Sequence, residues 1–196
     1  ISGSGTFELQ VVCPDLAEFS RFAREVLNDP IEIDVDAPRK EKAKIHQWIH
    51  LADDKDHKFA LLCHLLKQEE VKRAIVFVKT RDVVSSLEGQ LLQAGIPCAF
   101  MRGDMEQKKR FQALSRFTKG EVNVLLATDV AARGIDISQL PYVVNFALPR
   151  SPADYVHRIG RTGRAGKSGL AVSFVAPDEV PQLRQVERLI GIKLPS

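Results

Sequence analysis

Apolar residues from position 74 onward come in two alternating textures. Short apolar runs, AIVFV at 74–78 without a break and VNVLLA at 122–127 with one polar residue, are separated by longer stretches whose apolar residues recur every three or four positions. An unbroken run predicts a strand covered on both faces, and the wider spacing predicts an amphipathic helix. Helices are therefore predicted over 83–94, ended by Gly95, and over 106–118, before Gly120. Strands are predicted over 97–101, 142–146 and 170–175, with a short helix at 130–133 and a last helix at 180–190. Ser151 predicts a further helix start, with Pro152 in its first turn. Upstream, Asp15 can cap a helix running to about Asn28, with Leu16, Phe19, Phe22, Ala23, Val26 and Leu27 on one face. Pro30 stops it, and Ile31, Ile33 and Val35 alternate as a strand does. A charged connection at 40–44 leads to a strand at 45–51. A helix at 54–67 follows, with Phe59, Leu62, Leu65 and Leu66 facing inward. Strands and helices that alternate with short links imply an α/β fold, a mostly parallel sheet flanked by helices on both faces.

Composition narrows this little. The 196 residues are 44% hydrophobic, enough for one sizeable core. A net charge of +3 requires any basic surface to be local, and Lys108, Lys109, Arg110 and the 158–167 stretch are the concentrations. Cys13, Cys63 and Cys98 lie far apart with no C-x-x-C, which fits a reducing cytosol better than a disulfide scaffold. The five histidines form no H-E-x-x-H, so no protein-ligated metal is expected; His46 and His50 read as a solvated strand face. No apolar run approaches the ~18 residues of a membrane span, and no signal peptide is evident. A soluble cytoplasmic monomer is expected. The opening ISGSG reads as an artificial linker.

The chemistry follows from the strand ends. Ligands of an open parallel sheet bind beyond the carboxyl ends of its strands. Lys79, Thr80 and Arg81 follow the first buried run; Arg102, Gly103 and Asp104 follow 97–101; Thr128 and Asp129 follow 122–127. Such residues at helix starts suit phosphates, although each alone also suits an ordinary cap. Gln107 and Arg110, three apart, share a helix face. Asp136, in Arg133-Gly134-Ile135-Asp136, can accept from ribose hydroxyls or simply close an Asx turn. HRIGRTGRAG at 157–166 packs three arginines among three glycines. Glycine permits close backbone approach, and the guanidinium fork fits phosphate oxygens. Gly166-Lys167-Ser168 mimics the end of a P-loop, but the opening position holds Arg161 and a helix precedes it. His157 and Arg161 share a helix face and Arg164 follows in the turn, so two guanidinium groups can meet a triphosphate from outside the domain. Arginine fingers of this kind accelerate phosphoryl transfer by ~10³–10⁵-fold.

In this order, the motifs resemble the C-terminal RecA-like domain of superfamily 2 helicases of the DEAD-box class. AIVFVKT is similar to motif IV, Gly103-Asp104 with Gln107 to Arg110 to the Q-x-x-R element, ATDVAARGID at 127–136 to motif V, and HRIGRTGRAG to motif VI. VVNFALP at 143–149 resembles the segment between them. The stretch 45–68 is similar to bacterial SrmB-type members, which suggests ribosome biogenesis as the setting. The resemblance covers about 31–194. It implies arginine fingers at Arg161 and Arg164 and an ATP site that also uses Gly134 and Asp136. It implies an RNA-backbone track at Thr80, Gly103, Gln107, Arg110 and Thr128, and interdomain coupling through Asp129 and His157. ATP and Mg²⁺ are the implied cofactors, with Mg²⁺ held by the N-terminal RecA-like domain of the same protein. RNA, read with low sequence specificity, and that other domain are the implied partners.

The 196 residues contain no G-x-x-x-x-G-K-T, no D-E-A-D and no Q motif. Residues 31–196 are therefore expected to form the C-terminal half of the enzyme, inactive alone, and 1–30 a linker plus divergent interdomain segment. Where the family's Ser-Ala-Thr motif would fall, this chain has Val11-Val12-Cys13, so no function is assigned before residue 31. A non-enzymatic RNA- or protein-binding α/β module, and half of a DNA helicase, remain the rival readings.

Overall fold

A computed structural model describes residues 45–133, 137, 140–163 and 168–194. All of these belong to one compact unit, Lys40–Ser196. The helix predicted from Asp15 and the strand at 31–35 lie outside the described residues, as does the proposed boundary at residue 31.

Six strands form one parallel sheet: β1 (Ile45–Leu51), β2 (Ala74–Phe77), β3 (Cys98–Met101), β4 (Val124–Ala127), β5 (Tyr142–Asn145) and β6 (Gly169–Val175). Their spatial order is β1-β6-β5-β2-β4-β3. Between them run α1 (Lys55–Leu66), α2 (Arg81–Gln93), α3 (Gln107–Thr118), α4 (Asp129–Ala132) and α5 (Pro152–Ile159); α6 (Val180–Ile190) follows β6 after a 3-10 turn at Pro177–Glu179. This is the predicted α/β architecture, with element ends shifted by a residue or two.

The unbroken run at β2 is explained by burial on both sides. Ile75 and Phe77 enter one core with Phe117 of α3, Tyr155 and Ile159 of α5 and Val186 of α6. Ala74, Val76 and Val78 enter the other, with Leu62 and Leu66 of α1 and Val84, Leu87 and Leu91 of α2. Side chains alternate across a strand, so a strand buried on both faces must be apolar throughout. Edge strand β1 is covered less, and His46, Trp48 and His50 remain exposed.

Helix starts are fixed by short polar side chains. Asp54 accepts from His57 N at 2.8 Å, Thr80 from Val83 N and Thr128 from Ala131 N, both at 3.4 Å. Ser151 accepts from Ala153 N at 3.2 Å, with Pro152 at the first helical position. Because the strands are parallel, the starts of α2, α3 and α4 all lie on one edge of the sheet.

Candidate nucleotide and nucleic-acid site

Two features organise that edge. The first is a buried polar chain centred on Arg158 of α5, whose exposure is 2%. Its Nε donates to Asp129 Oδ1 at 2.6 Å and its Nη2 to Asp129 Oδ2 at 2.7 Å. Its Nη1 donates to Asn145 Oδ1 at 3.0 Å and to the Ala147 carbonyl at 2.7 Å. The guanidinium lies over the Phe77 ring, 4.9 Å from its centroid. Asn145 Nδ2 in turn donates to Ser173 Oγ at 3.0 Å, and Ser173 bonds the Tyr155 phenol, whose hydroxyl donates to Gln47 Oε1 at 2.9 Å. Burial pushes the Tyr155 phenol up to about 12, and the Ser173 hydrogen bond acts in the opposite direction. A fork-shaped pair to a carboxylate, with both Nη1 donors also bonded, is the form in which a guanidinium can be buried. This polar chain joins the start of α4 and the middle and last turn of α5 to strands β5, β6 and β1.

The second feature is a cavity of about 270 Å³ lined by Phe77, Asp129, Ala132, Arg133, Asp154, His157, Arg158 and Arg161. Its acidic groups are paired: Asp129 with Arg158, and Asp154 with Arg133 Nη2 at 2.9 Å. Arg161, from the turn after α5, donates to the Ala132 carbonyl at 3.5 Å. The turn is braced from behind, because Thr162 Oγ1 donates to the Leu140 carbonyl and Leu140 N donates to the Arg161 carbonyl at 3.1 Å. Guanidinium and imidazole groups at the wall, with both carboxylates already paired, suit an anionic ligand.

Beside this cavity, Arg110 Nη2 donates to the Ala131 carbonyl at 2.9 Å and its Nη1 to Gln107 Oε1 at 3.4 Å. Arg110 Nε is buried with no hydrogen-bond partner among the described residues. Gly103 is exposed, and a Cβ there would stand 3.2 Å from Val130. Around it, Asp104 pairs with Arg102 at 3.3 Å and Arg81 at 3.7 Å, and Lys109 with Glu106 at 3.8 Å. Thr80 and Thr128 use an oxygen lone pair as helix caps, and each keeps its hydroxyl proton for another acceptor. Thr80 faces a separate cavity of about 520 Å³ between α1 and α2. Among the described residues, no group of three or more His, Cys, Asp and Glu gathers as a metal site, and no helix is long and apolar enough to cross a membrane.

Residues 57–166, which carry this geometry, match the family described as helicase conserved C-terminal domain. The chain belongs to that family. Relatives at high identity narrow it to the DEAD-box class. The ATP-dependent RNA helicase SrmB of Escherichia coli (strain K12) is 51% identical over 169 residues, covering 86% of this chain and 38% of SrmB. SrmB of Haemophilus influenzae is 46% identical over 167 residues, 85% of this chain and 38% of that protein. The crystal structure of E. coli SrmB bound to regulator of ribonuclease activity A superposes with a TM-score of 0.73 at 53% identity, over 78% of this chain and 88% of that one. A DEAD-box protein from Methanococcus jannaschii gives 0.70 at 34% identity, over 91% of this chain and 48% of that one. This helicase domain thus spans about 38% of the length of the SrmB relatives, and its RecA-like fold is the one expected.

Within the domain, Asp129, His157 and Arg161 gather at one cavity, and Gly103, Gln107, Arg110 and Thr128 lie on the adjoining edge. Thr80 follows β2, the neighbour of β4 on the same edge, and lines the second cavity. Gly134, Asp136 and Arg164 lie outside the described residues. One expectation is corrected: Arg158 does not belong to the basic surface assigned to 158–167, because Asp129 neutralises it and β5 buries it. Sequence reading missed Asn145, Ser173 and Phe77 as well. They belong to apolar strand runs, and only their position beneath Arg158 marks them.

Proposed function

We propose that this domain is the second half of an ATP-dependent RNA helicase, supplying arginine fingers to ATP and one half of a clamp on the RNA backbone. The observation that carries the reading is the bidentate Arg158–Asp129 pair. It locks the start of α4, from the RNA edge, to α5, whose end leads to Arg161. A shift at one is therefore felt at the other, the coupling a clamp requires. The spare hydroxyl protons of Thr80 and Thr128 support a track that donates to phosphate oxygens.

In the assembled enzyme ATP would supply the phosphoryl group, and the N-terminal domain would hold the Mg²⁺ that offsets the charge on its oxygens. Arg161 and Arg164 donate to the γ-phosphate oxygens as charge develops on them, and Asp136 accepts from the ribose hydroxyls beside Gly134. His157 and Asp129 connect the two tracks and the facing domain. Backbone recognition makes the domain tolerant of RNA sequence. RraA, bound by E. coli SrmB, is a protein partner to consider here. We place the work in the cytoplasm and, by likeness to SrmB, in ribosome biogenesis.

The test is Arg161→Ala and Arg164→Ala in the two-domain enzyme. ATP turnover is expected to fall by ~10³–10⁵-fold while RNA affinity is largely kept, since the lost contacts go to ATP and not to RNA. Unchanged turnover rejects the finger assignment.

A further inference from the structure

The end of α6 and the residues after it carry charge that none of the roles above uses. Arg184, Arg188 and Lys193 line a shallow cleft of about 360 Å³ together with Glu187, Gly191 and Ile192. All three cations are exposed, and among the described residues none is held in an ion pair. Helix stability does not account for them. Arg188 lies in the last turn, where a cation offsets the helix dipole. Arg184 stands one turn earlier, at the four-residue spacing where like charges repel. Lys193 lies beyond the helix. Glu187 brings the cleft's one carboxylate, and that group already accepts from Leu194 N at 2.9 Å.

The chain is tied down around this cleft. Gly191 turns it back with a φ of 72°, the left-handed region that glycine enters freely, and its N–H donates to the Glu187 carbonyl at 2.9 Å. Leu194 is buried in the core and bonded to the Glu187 side chain, which fixes Ile192 and Lys193 beside the helix end. Ile192 nevertheless stays 52% exposed, and Leu189 stays 56% exposed next to Arg188. A basic rim with exposed apolar side chains fits a protein surface better than nucleic acid. Phosphates would engage the guanidinium groups but leave Ile192 and Leu189 in water. The place also matters. α6 starts directly after the 3-10 turn whose Asp178 and Glu179 share a cavity with Thr80. Its eleven residues carry the chain roughly 16 Å from there, so a partner at the far end need not cover the RNA edge.

We propose that this cleft docks an acidic, amphipathic segment of a protein partner. Carboxylates one helical turn apart on the partner meet Arg184 and Arg188, and an apolar side chain beside them covers Ile192. The surface is separate from the proposed ATP and RNA contacts, so a partner held there stays on the domain while the clamp opens and closes.

The experiment uses the two-domain enzyme and a fluorescein-labelled synthetic helical peptide with glutamates four residues apart and leucines on the same face. A matched peptide with lysine for every glutamate is the control, and binding is read by fluorescence anisotropy. The acidic peptide is expected to bind, more weakly as salt rises, and the lysine peptide is not. Arg184→Glu combined with Arg188→Glu is expected to weaken the acidic peptide by at least about tenfold, because like charges then face each other. Ile192→Ser is expected to weaken it on the order of fivefold while leaving the salt dependence unchanged. RNA affinity and RNA-stimulated ATP turnover are expected to stay at the wild-type level in every variant, which also shows that each one folds. Absence of binding by the acidic peptide overturns the proposal, as does binding that survives both the charge reversal and Ile192→Ser. A charge-reversed enzyme that keeps its circular dichroism but loses affinity for RNA would assign the cleft to nucleic acid and overturns it as well.

Discussion

Arg158 and Arg161 are three residues apart in one motif and do opposite work. Arg158 turns inward to Asp129, Asn145 and the Ala147 carbonyl, whereas Arg161 lines the open cavity. Removing a partner from a buried pair leaves the other charge uncompensated, which costs about 3–5 kcal/mol. Arg158→Leu is expected to lower unfolding stability by that amount in urea titrations. Arg158→Lys should recover only part of it, because an ammonium cannot reproduce the fork. Tyr155, at the other end of the same chain, gives a pH signature. Its phenol is held well above its ordinary value of 10.0, at about 12, so the folded state favours the neutral form. That stabilisation is complete below pH 10 and is lost as pH rises through about 12. Phenolate absorbance should rise late for this tyrosine, and stability should fall in the same window by on the order of 2 kcal/mol. A Tyr155→Phe variant that keeps the alkaline loss would refute the assignment.

Among the elements, β6 controls the arginine-bearing turn. A Cβ added at Gly169 would stand 2.6 Å from Gly163 N and 2.7 Å from Thr162 Cβ, so the turn packs directly against the first residue of the strand. Gly169→Ala should force that turn outward and lower stability by about 1–3 kcal/mol, the usual cost of overpacking. The expected readout is a lower thermal midpoint together with reduced ATP turnover in the two-domain enzyme; a neutral outcome would mean that the turn adapts freely. The elements themselves were largely legible. The cap at Ser151, the capping residue type at Thr80 and the unbroken runs at β2 and β4 marked them, because local backbone chemistry and two-sided burial both leave traces in order along the chain. The 3-10 turn at Pro177–Glu179 left no such trace: the buried Lys58 reaches it from 121 positions away.

For the whole molecule, the domain presents one edge of a parallel sheet as half of a site. The isolated chain is expected to show negligible ATP turnover, measured by phosphate release with and without RNA; robust turnover would reject the half-site reading. In the two-domain enzyme, RNA affinity should fall with salt by a log–log slope of about −0.7 per phosphate contacted. Arg110→Ala should make that slope shallower by about one contact without altering sequence preference. By itself, the sequence determined the α/β alternation, the caps and the ordered motifs from 74 to 166, because strand burial, helix capping and phosphate recognition each demand particular residue types at short spacing. Tertiary structure alone decided which arginine faces the cavity and which is locked into the core. It alone decided that Asn145, Ser173 and Phe77 serve the site, and that Thr80 opens onto a second cavity. Those outcomes depend on which strands lie side by side, and the order β1-β6-β5-β2-β4-β3 joins residues that no local pattern connects.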